Sequence, residues 1–169
     1  MSKLKNSVYY SLFQEQLTIA PLELSYCQQI CSWRYEPPYD CYQWPSWDNM
    51  KKDEIEFADS AIRKAQYAAV ISPNGDLIGY AQFFPMMNVT RLGLGLRPDL
   101  CSQGIGPLFV RLIAEEARRR NPQHEIDLEV YSWNRRAIRA YEQAGFQITD
   151  TYERLDKGCF VECICMVRS

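Results

Sequence analysis

Two glycines one residue apart, in Gln103-Gly104-Ile105-Gly106, stand where an apolar stretch gives way to Pro107 and a helical pattern. Backbone N–H groups at a helix N-terminus carry partial positive charge, and glycine lets a phosphate reach them without a Cβ in the way. The chemistry favoured is binding of a phosphate-bearing ligand. Glycines also serve tight turns, so the loop alone leaves both readings open. Two nucleotide classes drop out. A dinucleotide fingerprint needs G-x-G-x-x-G, and Phe109 occupies the third glycine position; a P-loop needs Gly-Lys followed by Ser or Thr, which this loop lacks.

The other reactive side chains exclude more than they suggest. Seven cysteines (Cys27, Cys31, Cys41, Cys101, Cys159, Cys163 and Cys165) form no C-x-x-C pair, so they read as free thiols in a reducing compartment and as small buried apolar groups. No metal site is expected. The single histidine, His124, follows Asn121-Pro122 at a loop-to-strand junction and reads as a surface loop residue, which leaves a His-dependent triad without a well-placed base.

The 169 residues suit one domain, read as 1–169. With 47% hydrophobic and 24% charged residues the chain can bury a core, and a net charge of −2 lacks the basic excess of a nucleic-acid binder. No apolar stretch approaches the roughly 18 residues of a membrane span, and Met1-Ser2-Lys3-Leu4-Lys5-Asn6-Ser7 leads into no apolar leader. The expectation is a cytoplasmic protein with neither nucleic-acid nor membrane partners.

The elements that must position the glycine loop follow from periodicity. Leu17 to Ala20 reads as a short strand. Leu22, Tyr26, Ile30 and Trp33 form one stripe of a helix. Tyr35 to Trp47, with three prolines, reads as irregular, and a second helix is expected from Ser46 or Asp48 to about Lys64. Strands at Gln66–Ser72 and Asp76–Phe84 flank the hairpin signal Pro73-Asn74-Gly75. Val89 to Leu96 is a further strand, in which Gly93 and Gly95 mark a bulge or a close approach by a ligand or another backbone. After the loop come a helix ending at Asn121-Pro122, a strand Ile126–Tyr131, and a helix capped near Asn134 and closed by Gly145. A hairpin across Asp156-Lys157-Gly158 ends the chain. The fold class is α/β (α+β), a mixed and mostly antiparallel sheet with about four helices.

The segment from Asn134 to Phe146 reads N-x-x-A-x-x-x-Y-x-x-x-G-F, with Ala137, Tyr141 and Gly145 at its fixed positions. Together with the preceding strand, loop and helix it resembles the GNAT superfamily of N-acetyltransferases, closely over Val89 to about Arg154 and more loosely elsewhere. The family loop R/Q-x-x-G-x-G/A is matched at both glycines, whereas Cys101 replaces the usual Arg or Gln. The resemblance implies a sheet splayed at an acyl-CoA cleft and acetyl-CoA as cosubstrate, with no metal. Its pyrophosphate would lie on the amides of Gln103, Gly104, Ile105 and Gly106, and its pantetheine arm beside Leu94, Gly95 and Leu96, with Asn134, Ala137 and Tyr141 also at the cofactor.

Acylation of an amine needs the acceptor ammonium to lose a proton and the CoA thiolate to gain one. By resemblance, Tyr141 stands where family members keep the tyrosine that protonates the thiolate; a phenol stays protonated at neutral pH. Alternation places Asp127, Glu129 and Tyr131 on one sheet face, and the resemblance to N-terminal amine acetyltransferases makes Glu129 the candidate base, acting through water. Packing beside the cofactor and a merely polar sheet face are the alternatives. The resemblance also puts the acceptor pocket near Trp33, Tyr35, Glu36, Tyr39 and Asp40, rings and carboxylates suited to a cationic amine. The expected activity is acetyl transfer to a primary amine of a small molecule, peptide or protein by direct attack in a ternary complex. A non-catalytic acyl-CoA-binding module is the rival, and homodimers are an expectation from resemblance alone.

Overall fold

Runs of alternating apolar residues pair into one sheet in the computed structural model, which describes residues 17–169. The readings of the first sixteen residues, including the missing apolar leader, lie outside the described residues. Among those described, the strands are β1 (Thr18–Pro21), β2 (Tyr67–Ile71), β3 (Leu77–Met86), β4 (Val89–Leu96), β5 (Glu125–Tyr131), β6 (Gln147–Asp156) and β7 (Cys159–Arg168). Their order is β1-β2-β3-β4-β5-β7-β6, antiparallel throughout except where β4 runs parallel to β5.

The helices are α1 (Leu24–Ser32), α2 (Trp47–Asp53), α3 (Ser60–Gln66), α4 (Gly106–Arg120) and α5 (Arg135–Gln143). Five replace the expected four because the helix read from Ser46 to Lys64 is broken. Glu54 turns into the left-handed region (φ 48°) and ends α2, and the Asp59 carboxylate accepts from Ala61 N–H (2.7 Å) and Ile62 N–H (3.0 Å) to start α3. Two strong local caps outcompete a continuous period. Between them a 3₁₀ turn, Glu56–Ala58, drives Phe57 into full burial.

The sheet separates two cores. On one face α4 and α5 cover Leu92, Ile126, Leu128 and Met166, with Phe109, Ile113 and Ile138 contributed by the helices. On the other, α1 and the α2–α3 region bury Cys27, Ile30, Met50 and Phe57 against Tyr67, Leu77 and Tyr80. Both expected hairpins form. Gly75 (φ 83°) closes the first, and Lys157 (φ 49°) with Gly158 (φ 83°) closes the second in a tight turn that needs positive φ at both positions.

The parallel pair β4 and β5 is in register only from Val89↔Glu125 to Leu92↔Leu128. Beyond that the strands part. Arg97 N–H donates to the Ile78 carbonyl (2.9 Å) beside the Gly79↔Leu96 pair, so odd-numbered residues of β4 bond β3 and even-numbered ones turn toward β5. The backbone groups of Leu94 and Leu96 therefore face an opening instead of a strand. Tyr35 O–H takes the Leu96 carbonyl at 2.7 Å. The other groups face the opening.

Gly95 answers to a different neighbour from the one its sequence position implies. A Cβ there would lie 2.1 Å from Cε1 of Tyr80, whose ring is held by Trp33, Trp44 and Phe57, so the glycine makes room for an aromatic side chain. At Gly93 the nearest atoms stand at 3.4 Å. Urea unfolding should show Gly95→Ala destabilised by roughly 1–3 kcal/mol through overpacking, and Gly93→Ala changed by less than about 1 kcal/mol.

Candidate active site

A cavity of about 880 Å³ passes through the sheet where β4 leaves β5. Its walls come from both faces: Ala137, Ala140 and Tyr141 of α5 on one side, and Tyr80, Arg91, Glu129 and Trp44 on the other. Gly104 and Gly106 stand at its edge beside the start of α4.

The loop geometry explains the glycines. Gly104 sits at φ 86°, which a side chain strains, and the first amides of the fifteen-residue α4 receive no side-chain cap. Uncapped amides at a helix N-terminus are donors awaiting an acceptor, and an anion is the natural one. A Cβ on Gly106 would meet the Ala140 Cβ at 3.3 Å, so this glycine also lets α4 approach α5. Ile105 is 1% exposed and belongs to the core; neither it nor Gln103 lines the cavity.

On α5 the Asn134 side chain is committed. Its Oδ1 accepts from Ala137 N–H (3.2 Å) as the helix cap, and its amide nitrogen donates to the Tyr42 hydroxyl (3.0 Å). Two turns on, the half-buried Tyr141 lines the cavity, and its hydroxyl makes no hydrogen bond among the described residues. Burial, with a smaller effect of Tyr80, pushes this phenol well above its ordinary range, so it holds its proton across neutral pH. Tyr80 is likewise pushed up, to about 12, chiefly by burial, while Trp44 Nε1–H donates to its oxygen at 2.9 Å.

Across the opening, the face carrying Asp127 and Glu129 is as alternation predicts, with Leu128 and Val130 buried behind it. Both carboxylates are engaged by guanidiniums. Register places Arg91 opposite Asp127, and the guanidinium grips that carboxylate with Nε at 3.1 Å and Nη2 at 2.6 Å while Nη1 reaches Glu129 at 2.7 Å. Glu129 also accepts from Tyr152 O–H and from Arg154 (3.1 Å). Three donors occupy most of the roughly four acceptor positions of a carboxylate. The hydrogen bonds from Asp127 hold Arg91 firmly charged.

Of the expected acceptor residues, Tyr35 lines the cavity and Trp33, Glu36, Tyr39 and Asp40 do not. Trp33 packs against Tyr80, Tyr39 against Trp133 and under Arg136 (3.8 Å), and Glu36 and Asp40 are exposed. Trp44, from the irregular Tyr35–Trp47 stretch, lines it together with Glu56, Tyr80, Gln82 and Arg91, which no motif singles out. Strand pairing brings Tyr80, Gln82 and Arg91 together. His124 lies away from the cavity, its Nδ1 at 3.0 Å from Thr90 Oγ1. Among the described residues no three potential ligands gather at metal spacing, and no helix is long and apolar enough to cross a membrane.

The sheet opens between two parallel strands, with an uncapped helix start at one end and a half-buried phenol beside the gap, a frame that fits an acyl-CoA-dependent acetyltransferase. Residues 27–146 match the acetyltransferase (GNAT) family model, and the chain belongs to that family. Among solved structures it is similar to a chimera of the Vibrio cholerae spermidine N-acetyltransferase SpeG with hSSAT, at 17% identity over 91% of this chain and 95% of that one, TM-score 0.72. A second such chimera aligns at 20% identity, 91% and 95% coverage and TM-score 0.70. The Vibrio cholerae spermidine N-acetyltransferase in complex with CoA and spermine aligns at 18% identity, 90% and 94% coverage and TM-score 0.67. At these identities the likeness is one of fold.

Because Asn134 caps α5 and ties it to Tyr42, Asn134→Ala should cost about 1–2 kcal/mol in thermal or urea unfolding. Asn134→Asp, which keeps the cap, should cost less.

Proposed function

We propose that the chain transfers the acetyl group of acetyl-CoA to a primary amine by direct attack within a ternary complex. The observation that carries this reading is the unpartnered Tyr141 hydroxyl at the cavity wall, beside backbone groups of β4 that face the same gap. The pyrophosphate meets the amides of the Gln103–Gly106 loop. The pantetheine amides pair with Leu94 and Leu96 as an added strand would, and Arg136 and Arg139 at the cavity edge supply positive charge where Cys101 replaces the family's Arg or Gln.

The amine enters from the opposite face and attacks the thioester carbonyl; the tetrahedral intermediate collapses, the C–S bond breaks, and Tyr141 gives its proton to the departing thiolate. Direct attack is favoured over an acyl-cysteine because burial raises the thiols at the cavity, Cys41, Cys101 and Cys163, above their ordinary range and so depletes the thiolate. Glu129, engaged by Arg91, Tyr152 and Arg154, holds those guanidiniums in place, and the ammonium proton leaves through cavity water.

CoA-thiol release from acetyl-CoA with a panel of primary amines tests the activity; no amine-dependent release would contradict it. Tyr141→Phe should lower the single-turnover rate roughly 10- to 1,000-fold while CoA affinity changes little, because only the donor is lost. Glu129→Gln should lower kcat/KM by a similar factor at every pH. Recovery at alkaline pH would instead identify Glu129 as the base.

A further inference from the structure

The charges around the cavity do not cancel evenly. On the face away from α5, Asp127 and Glu129 are matched by Arg91 and Arg154, two carboxylates against two guanidiniums. Glu56 is different. Its carboxylate accepts from Tyr67 O–H at 2.5 Å and from Gln82 Nε2 at 3.4 Å, both neutral donors, and it forms no ion pair among the described residues. Gln82 is itself steadied by donating to Gln66 Oε1 at 3.0 Å. On the α5 side the imbalance has the opposite sign, since Arg136 and Arg139 line the cavity and make no ion pair among the described residues. The cavity is thus polarised across the sheet, positive where a phosphate would lie and negative at Glu56.

The backbone fixes where that carboxylate stands. Glu56 adopts φ 49°, a left-handed conformation uncommon for a residue with a side chain, and the next residue, Phe57, is fully buried against Trp44, Tyr67 and Tyr80. The aromatic anchor and the two neutral donors hold the carboxylate at the cavity wall. Trp44 and Tyr80 line the same wall, and ring faces next to a carboxylate form a receptor for an organic cation. A fixed anion with an unmatched charge is complementary to an ammonium and gains little from a neutral group of the same shape.

We propose that Glu56 receives the ammonium group of the acceptor, with Tyr67 and Gln82 as positioning residues for the carboxylate. This rests on the acyl-transfer reading of the cavity and adds the residue that recognises the acceptor's charge.

The test uses the full chain saturated with CoA and, as probes, spermidine, n-butylamine and phenethylamine, with n-butanol and phenethyl alcohol as neutral counterparts. Affinities are read by calorimetry or by tryptophan fluorescence, and transfer to the same amines is followed with acetyl-CoA. In Glu56→Gln, which keeps an oxygen for Tyr67, amine affinity should fall about 10- to 100-fold and KM should rise by a similar factor with kcat nearly kept. Alcohol binding and CoA affinity should not move. Glu56→Asp, which keeps the charge, should lie between wild type and Glu56→Gln, and it carries the test if Glu56→Gln does not fold.

Equal amine affinity in wild type and variant, or wild-type binding of amines no tighter than of the matching alcohols, would overturn the proposal. Amines that bind in a Glu56-dependent way but are never acetylated would support this site while contradicting the acetyltransferase reading. Acetylation with an unchanged KM in Glu56→Gln would do the reverse.

Discussion

The parting of β4 from β5 after Leu92↔Leu128 is the constraint around which the site is arranged. A sheet normally pairs every backbone N–H and C=O along its inner strands, because an unpaired group away from water costs about as much as a lost hydrogen bond. Here β4 runs on to Leu96 and β5 to Tyr131 without each other, so the backbone groups of Leu94 and Leu96 have no strand to meet. A ligand carrying amides along an extended arm can restore the ladder. The Arg91 grip on Asp127 locks the strands at the last paired turn, directly beneath the point where they diverge.

Both cores hold that opening at a fixed width. Phe109 and Ile138 pack from α4 and α5 on one side, while Tyr80, seated in the space that Gly95 leaves, fills the other. The same packing sets the electrostatics. Tyr141 is buried enough to keep its proton, yet its hydroxyl is left to the cavity, whereas Glu129 sits among donors that occupy it. Two side chains with acid–base chemistry thereby differ in their surroundings: one is left to the cavity, the other is engaged by two guanidiniums and a phenol. Glu56, which also lines the cavity, is unmatched by any cation among the described residues.

Much of this was legible in the residues. Elements bounded by strong local signals came out close to their observed limits: Val89–Leu96 as a strand, the Lys157-Gly158 hairpin, the helix between Asn134 and Gly145, and the glycine loop leading into α4. Each is decided by chemistry within a few residues. The break between α2 and α3 was hidden because the apolar period continues through it, while Glu54 in a left-handed conformation and the Asp59 cap decide the outcome. The cavity lining is hard to read from sequence for a related reason. Glu36 and Asp40 lie among aromatics in the sequence and are exposed, whereas Glu56 lines the cavity and meets Tyr67 of β2 and Gln82 of β3. Likewise, nothing local in Arg91 announces its two carboxylates on β5. Contacts made across strands need the register, and a single sequence does not display it.

Amide hydrogen exchange along β4, measured with and without CoA, reads the central claim at the atoms concerned. The N–H groups of Leu94 and Leu96 should exchange quickly in the free protein and be strongly protected once CoA is bound, whereas those of Gly93 and Gly95, already donating to β3, should change little. Saturating CoA that leaves Leu94 and Leu96 unprotected would contradict the view that the open edge of β4 is the cofactor's binding strand.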